Sequence, residues 1–246
     1  MSTIASTARP RTTASLLALT RLLLRSQVTL ARLLGIAGLG ALSVLLGLLS
    51  RGDENPADAA AEVIATYGLG ILLPLATLWL GTSVIGDLVD DRLLVYLWLK
   101  PLSRWVLPAA AIIATFGVVA PLTALPLAAT APVAGSSDVA LSAFGAATLG
   151  ALAYTGLFVA AGIWFRRAVW YGLAFVLLWE NALAYAAEGS ARFTVSEWAR
   201  SILETAPGVD VEGGARSALA AFIVLPAVAV AGWLVATWRY GRADVD

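Results

Sequence analysis

The chain contains no cysteine and no histidine. Disulfides, thiolate nucleophiles, imidazole bases and the usual His or Cys metal sites are therefore excluded. Most familiar catalytic constellations draw on one of these side chains. Lysine occurs once, at Lys100. Charge is scarce as well: Asp, Glu, Lys and Arg make up 13% of the 246 residues, about half the usual share of a soluble domain. The net charge is zero, which argues against nucleic acid as a partner.

What remains is apolar. Hydrophobic residues make up 60% of the chain, and the mean hydropathy is +0.85. A soluble fold of this composition would expose large apolar patches, so the bilayer is the natural solvent. The expected fold class is an all-α integral membrane protein forming one transmembrane domain over residues 1–246. Six stretches are long and apolar enough to cross about 30 Å of hydrocarbon as helices. They lie near 32–50, 64–85, 106–130, 140–164, 168–187 and 217–238. Pro121 and Pro126 should kink the third, Pro74 the second and Pro226 the sixth.

Basic residues set the expected orientation. Arg9, Arg11, Arg21, Arg25, Arg32, Arg92, Lys100, Arg104, Arg166, Arg167, Arg239 and Arg242 fall on one side. Arg51, Arg192, Arg200 and Arg216 fall on the other. Both termini should therefore be cytoplasmic. Arg21, Arg25 and Arg32 lie within about 40° of one another on a helical wheel. Leu16, Leu19, Leu23 and Leu30 mostly occupy other faces. This predicts an interfacial amphipathic helix over 12–31 rather than a cleavable leader. The alternative is a basic tail followed by a longer first span. In the outer loop, 188–216, Thr194 and Glu197 form a T-x-x-E capping box. Val195, Trp198, Ala199 and Ile202 then recur at helical spacing, so a short amphipathic helix should lie on the outer surface.

One stretch breaks the apolar pattern: GDLVDDRLLVYLWLKPLSRW, Gly86 to Trp105. Gly86 is expected to end the second span. Asp87, Asp90 and Asp91 suit the start of a new helix, where the dipole favours carboxylates. Leu93 to Leu99 is apolar but too short to span, and Pro101 stops it. Such a segment is either a docking helix or a solvated loop carrying ordinary cytoplasmic charges.

This stretch resembles the cytoplasmic loop of ABC-2 type transporter permeases. That family shows an acidic residue, a short apolar run, then P-x-S/P-R before the third span. Asp87, Asp90 and Asp91 match the acidic part, Leu93 to Leu99 the run, and Pro101, Ser103 and Arg104 the end. Asp87 stands where the family often has Glu, and Arg92-Leu93 where it often has Gly-Thr or Arg-Thr. LLWENALAYAAEGSARFTVSEWA, Leu177 to Ala199, is similar to the family's LWE and following outer segment.

The resemblance implies a coupling helix between the second and third spans, seated on a separate ABC ATPase subunit. Its contact residues would be Asp87, Asp90, Asp91, Arg92, Leu94, Tyr96, Lys100, Pro101 and Arg104. It also implies a second permease copy, identical or not, around a central pathway in the plasma membrane, bacterial by family. The chain has no G-x-x-x-x-G-K-[ST] motif, so ATP and Mg would be bound by the partner subunit. The chain itself would hold no cofactor and catalyse nothing.

Within the spans, Glu180, with Asn181 beside it, is the clear ionisable group. It either lines a pathway or gate, or glues helices together. Gly35, Gly38, Gly40 and Gly47, and Gly145, Gly150 and Gly156, allow close helix approach. Trp79, Trp105, Trp164, Trp170, Trp179 and Trp238 fall near expected membrane interfaces. A largely apolar pathway suggests a lipophilic or amphipathic cargo moved outward. Two other classes compete. A secondary transporter or channel usually shows inverted repeats or midplane charges; no repeat is evident, and charge within the spans is sparse. An intramembrane enzyme would need carboxylates or a Ser-Lys pair, and Lys100 has no serine partner in a span.

Overall fold

The computed structural model describes residues 12–90, 103–165, 167–183, 194–209 and 217–242. For 87–90 and 180–183 it describes the backbone only. Every regular element among the described residues is helical. Helix α1 is Thr12–Gln27 and α2 is Leu30–Leu49. Helix α3, Pro56–Val63, runs through a π-helical segment, Ile64–Leu72, into α4, Leu73–Asp90. Helix α5 is Val106–Ala134 and α6 is Ala140–Trp164. Helix α7, Ala168–Ala174, continues as a second π-helical segment, Phe175–Leu183. Helix α8 is Val195–Leu203 and α9 is Ala218–Tyr240.

Five helical stretches are long and apolar enough to cross a membrane: Leu30–Leu49, Pro56–Gly86, Val106–Ala134, Ser137–Trp164 and Ala218–Tyr240. The chain is an all-α, multi-pass membrane protein by this measure. The stretch expected at 168–187 is described to Leu183 and includes a shorter apolar helix, Ala168–Trp179. The second span starts at Pro56 rather than near 64. Pro56 at the first helical position costs little, because that N–H has no partner within the helix anyway. Its helix also runs past Gly86 to Asp90. Asp87 and Asp90 thus sit in a last helical turn, and no new helix starts at Asp87. With no positive φ at Gly86, the glycine is simply a helical residue.

Pro74 lies just past the junction where the π-helical segment, ending at Leu72, passes into α4 within one continuous helical stretch, so its missing N–H falls where the hydrogen-bond register changes. Pro121, Pro126 and Pro132 lie inside α5. The Pro126 ring takes away the donor that would meet the Leu122 carbonyl. Gly40 of α2 approaches that carbonyl: a Cβ there would lie 3.5 Å from it and 2.8 Å from the Pro126 ring.

Helices α5 and α6 form the centre. Helix α6 packs against α4, α5, α8 and α9, while α2 lies along α5. One apolar core, with Ile64, Leu69, Leu72, Leu127, Tyr154 and Leu225 fully buried, fills the middle and one end of the bundle. A second cluster closes the other end. It joins Leu19 and Leu23 of α1 to Val84 and Ile85, to Val106, Leu107, Ala110 and Ala111, and to Val159. Helix α1 is therefore held by an i, i+4 apolar pair, with Arg21 and Arg25 on its exposed side. It ends at Gln27 rather than 31, and Leu30 is exposed at the start of α2.

The tightest helix contact is between α6 and α9. A Cβ on Gly156 would fall 2.6 Å from the Ala229 Cα, and one on Gly232 would strike the Gly156 backbone. Neither clash can be relieved by a side chain turning away, so the two backbones meet directly. Gly38, by contrast, has nothing within 4 Å of an added Cβ, and the close approach expected there is not made. Gly156→Leu should cost about 1–3 kcal/mol through overpacking and lower the thermal midpoint in detergent. Gly38→Leu should leave it unchanged. Equal midpoints for the two variants would contradict this packing.

Candidate functional site: the arginine-rich end and the opposite ion pair

The interrupting polar segment enters and leaves the bundle at the end closed by α1. Its entry, α4, carries Val84 and Ile85; its exit, α5, begins with Val106 and Leu107; all four pack with Leu19 and Leu23. At the exit the Val106 N–H donates to the Ser103 carbonyl at 3.0 Å, turning the chain into α5. Arg104 Nη1 donates to the Gly241 carbonyl at 2.9 Å, at the C-terminal end of α9. A cation there meets unpaired carbonyls and the negative end of the helix dipole. Trp233 Nε1 reaches the Trp105 carbonyl at 3.4 Å, a second tie between α9 and the start of α5. The root of the segment, the first helix and the last helix are thus fastened to one another.

Of the residues expected to contact a partner, Arg104 alone has its side chain described. Asp87 and Asp90 are described in backbone, in the last turn of α4. Asp91, Arg92, Leu94, Tyr96, Lys100 and Pro101 lie outside the described residues. Glu180 and Asn181 are described in backbone, within the π-helical segment Phe175–Leu183. A π-helical stretch in a membrane helix often marks a functional position.

Helix α1 makes one contact that apolar periodicity does not signal. Gln27, fully buried, donates its Nε2 to Thr115 Oγ1 of α5 at 2.8 Å. Its Oε1 is buried with no partner. Gln27 follows Leu23 by one helical turn, so it falls on the same face as the leucines, and only its polarity sets it apart.

The opposite end holds a feature the sequence reading misassigned. Helix α8 forms where its pattern predicts, but it is not laid on the outer surface. It packs among α6, α9 and the segment Ile64–Leu72, and Val195, Ser196, Glu197, Ala199, Ser201, Ile202 and Leu203 are all buried. Thr194 holds the N-cap position, but its side chain makes no cap bond. Glu197 turns instead to Arg200, with Oε1 accepting from Nη1 at 2.8 Å. The two side chains are only 6% and 15% exposed. Arg200 Nη2 also makes a long contact, 3.5 Å, to the Ala65 carbonyl of the π-helical segment. Glu197 Oε2 and Arg200 Nε are buried without partners. The polar face of α8 is thus paired in part within the helix, with Ser201 Oγ also donating to the Glu197 carbonyl at 3.1 Å. A helix that pairs its own charges can enter a core that its charge pattern alone would forbid. The i, i+3 spacing of Glu197 and Arg200 was the available signal.

Among the described residues, no three acidic, His or Cys side chains come together to hold a metal ion. No protein-family model matches the chain. No curated protein matches it either.

Glu197→Gln should leave Arg200 as a buried, half-compensated cation and cost about 3–5 kcal/mol. The double change Glu197→Leu with Arg200→Leu should recover much of that loss. Denaturant unfolding of the purified chain in detergent checks both. A single variant as stable as the wild type would show that the pair is solvated rather than buried.

Proposed function

We propose that this chain is the membrane-spanning subunit of an ATP-driven transporter of the ABC-2 permease type. It would cross the membrane six times, the fifth crossing running through 168–187. The arginine-rich end would face the cytoplasm. The interrupting segment would be the coupling helix, and a separate ATPase subunit would grip it. One observation carries this reading: both roots of that segment converge with α1 in a single apolar cluster at the arginine-rich end. A push on the segment there reaches α4 and α5 through packed side chains, and α9 through the Arg104–Gly241 and Trp233–Trp105 ties. That is the mechanical requirement for an external motor to bias a two-state bundle.

Other features agree. The chain has no phosphate-cradling motif of its own. Helices α2 and α9 leave large apolar side chains exposed, including Leu34, Leu45, Phe222, Ile223 and Leu234, surface for lipid and for a second permease copy. The apolar interior suits a lipophilic or amphipathic cargo. Glu180, on a π-helical stretch, is the candidate gate residue.

The test is co-purification from native membranes. The wild-type chain should bring with it a nucleotide-binding subunit and ATP hydrolysis. Asp87→Lys with Leu94→Glu should weaken that association roughly thirtyfold, as loss of a central interface residue does, without lowering the yield of folded chain. Recovery of the wild type without any ATP-hydrolysing companion would contradict the assignment. So would a double variant that keeps its companion.

A further inference from the structure

Four side chains at the ends of α6 and α9 form a continuous stack. The Trp164 and Trp238 rings lie 5.8 Å apart and within 22° of parallel. The Arg239 guanidinium lies 5.8 Å from the Trp164 ring centre. The Arg242 guanidinium lies 4.2 Å from the Trp238 ring centre. Both indoles remain partly open, at 42% and 49% exposure. We propose that this stack binds the phosphodiester headgroup of an anionic phospholipid. The inference rests on the chain spanning a bilayer and is independent of the transporter reading.

Three observations support it. First, the cations are held but not neutralised. Among the described residues neither Arg239 nor Arg242 meets a carboxylate, and neither does the neighbouring, exposed Arg167. The buried Arg200 at the other end, in contrast, has Glu197. A guanidinium beside an indole ring that meets no carboxylate keeps N–H donors for another ligand, and their fork fits two phosphate oxygens. Second, the depth is right. The stack closes the last turn of the apolar helix Ala218–Tyr240, at the level where tryptophan meets lipid headgroups. Third, the surface beside it is apolar and open. Leu234 and Val235 on α9, Phe165 just past the end of α6, and Val169 and Trp170 in α7 are exposed large hydrophobics, a wall for acyl chains. A zwitterionic headgroup would bring its own cation against two arginines, whereas a phosphatidylglycerol-type headgroup brings none.

Among the described residues, no arginine stacked on tryptophan lies at the opposite end. Asp53, Glu54, Glu62 and Asp138 lie there with Arg51. The site would therefore select one leaflet as well as one headgroup.

Native mass spectrometry of the full chain, released from detergent with equimolar phosphatidylglycerol and phosphatidylcholine, tests the proposal. The wild type should retain phosphatidylglycerol preferentially. Arg239→Gln with Arg242→Gln should cut that preference roughly thirtyfold. Arg239→Lys with Arg242→Lys keeps the charge but not the fork, and should fall between. Arg51→Gln, at the far end, should match the wild type. Equal retention of the two lipids by the wild type would overturn the proposal, whatever the variants do. So would a Lys double variant indistinguishable from wild type, or an Arg51→Gln loss equal to that of the Gln double variant.

Discussion

A polar group carried into hydrocarbon is costly unless it finds a partner inside the protein. The spans are helical for that reason, and their irregularities follow from it. Several hydroxyls turn back on their own helices: Thr77 to Leu73, Thr82 to Leu78 and Thr123 to Val119, each within 3 Å. Ser43 and Thr130 also meet across α2 and α5 at 3.2 Å. Tyr67 reaches the Leu39 carbonyl at 2.9 Å, tying a π-helical segment to α2. The prolines of α5 are tolerated where small residues can come close, as Gly40 does at Pro126. The same constraint brings Glu197 and Arg200 into the core as a pair rather than singly. It also pushes unpaired arginines outward to the end of the bundle.

That separation of charges has a functional consequence. One end carries α1, both roots of the interrupting segment, and arginines resting on tryptophan. The other carries carboxylates and a helix folded back into the bundle. A protein with two such different ends has a direction in the membrane. On the proposed reading, the arginine-rich end is where an ATPase partner would press and an anionic lipid would bind. At the other end, α8 packs among α6, α9 and the segment Ile64–Leu72.

The sequence disclosed the spans according to how sharply their ends are marked. Helix α6 begins and ends where its hydropathy predicts, at 140 and 164, between the left-handed Gly135 and the arginines that follow. The second span was read eight residues short at its start, because Asp58 and Glu62 hide an amphipathic first turn that continues the helix. Its end was placed at Gly86, although a glycine without positive φ does not stop a helix. The site was less legible. Arg104 stands out by composition, but its partner Gly241 is 137 residues away. Gln27 sits on a leucine face and looks like an irregularity until Thr115 is placed opposite it. Helical period predicts α8 but not its place in the bundle. Period reports which residues share a face, not whether the polar face is wet.

The most direct test of the central claim is the side of the membrane on which the segment's root lies. The chain lacks cysteine, so single reporters can be placed without background. Cysteine at Ser103, at the foot of the segment, and at Asp53, at the far end, would be challenged with a membrane-impermeant maleimide. Labelling of Asp53→Cys on intact cells, with Ser103→Cys reacting only after permeabilisation, is the predicted result. Reaction of Ser103→Cys from outside would contradict the account, because a cytoplasmic motor could then not reach the segment.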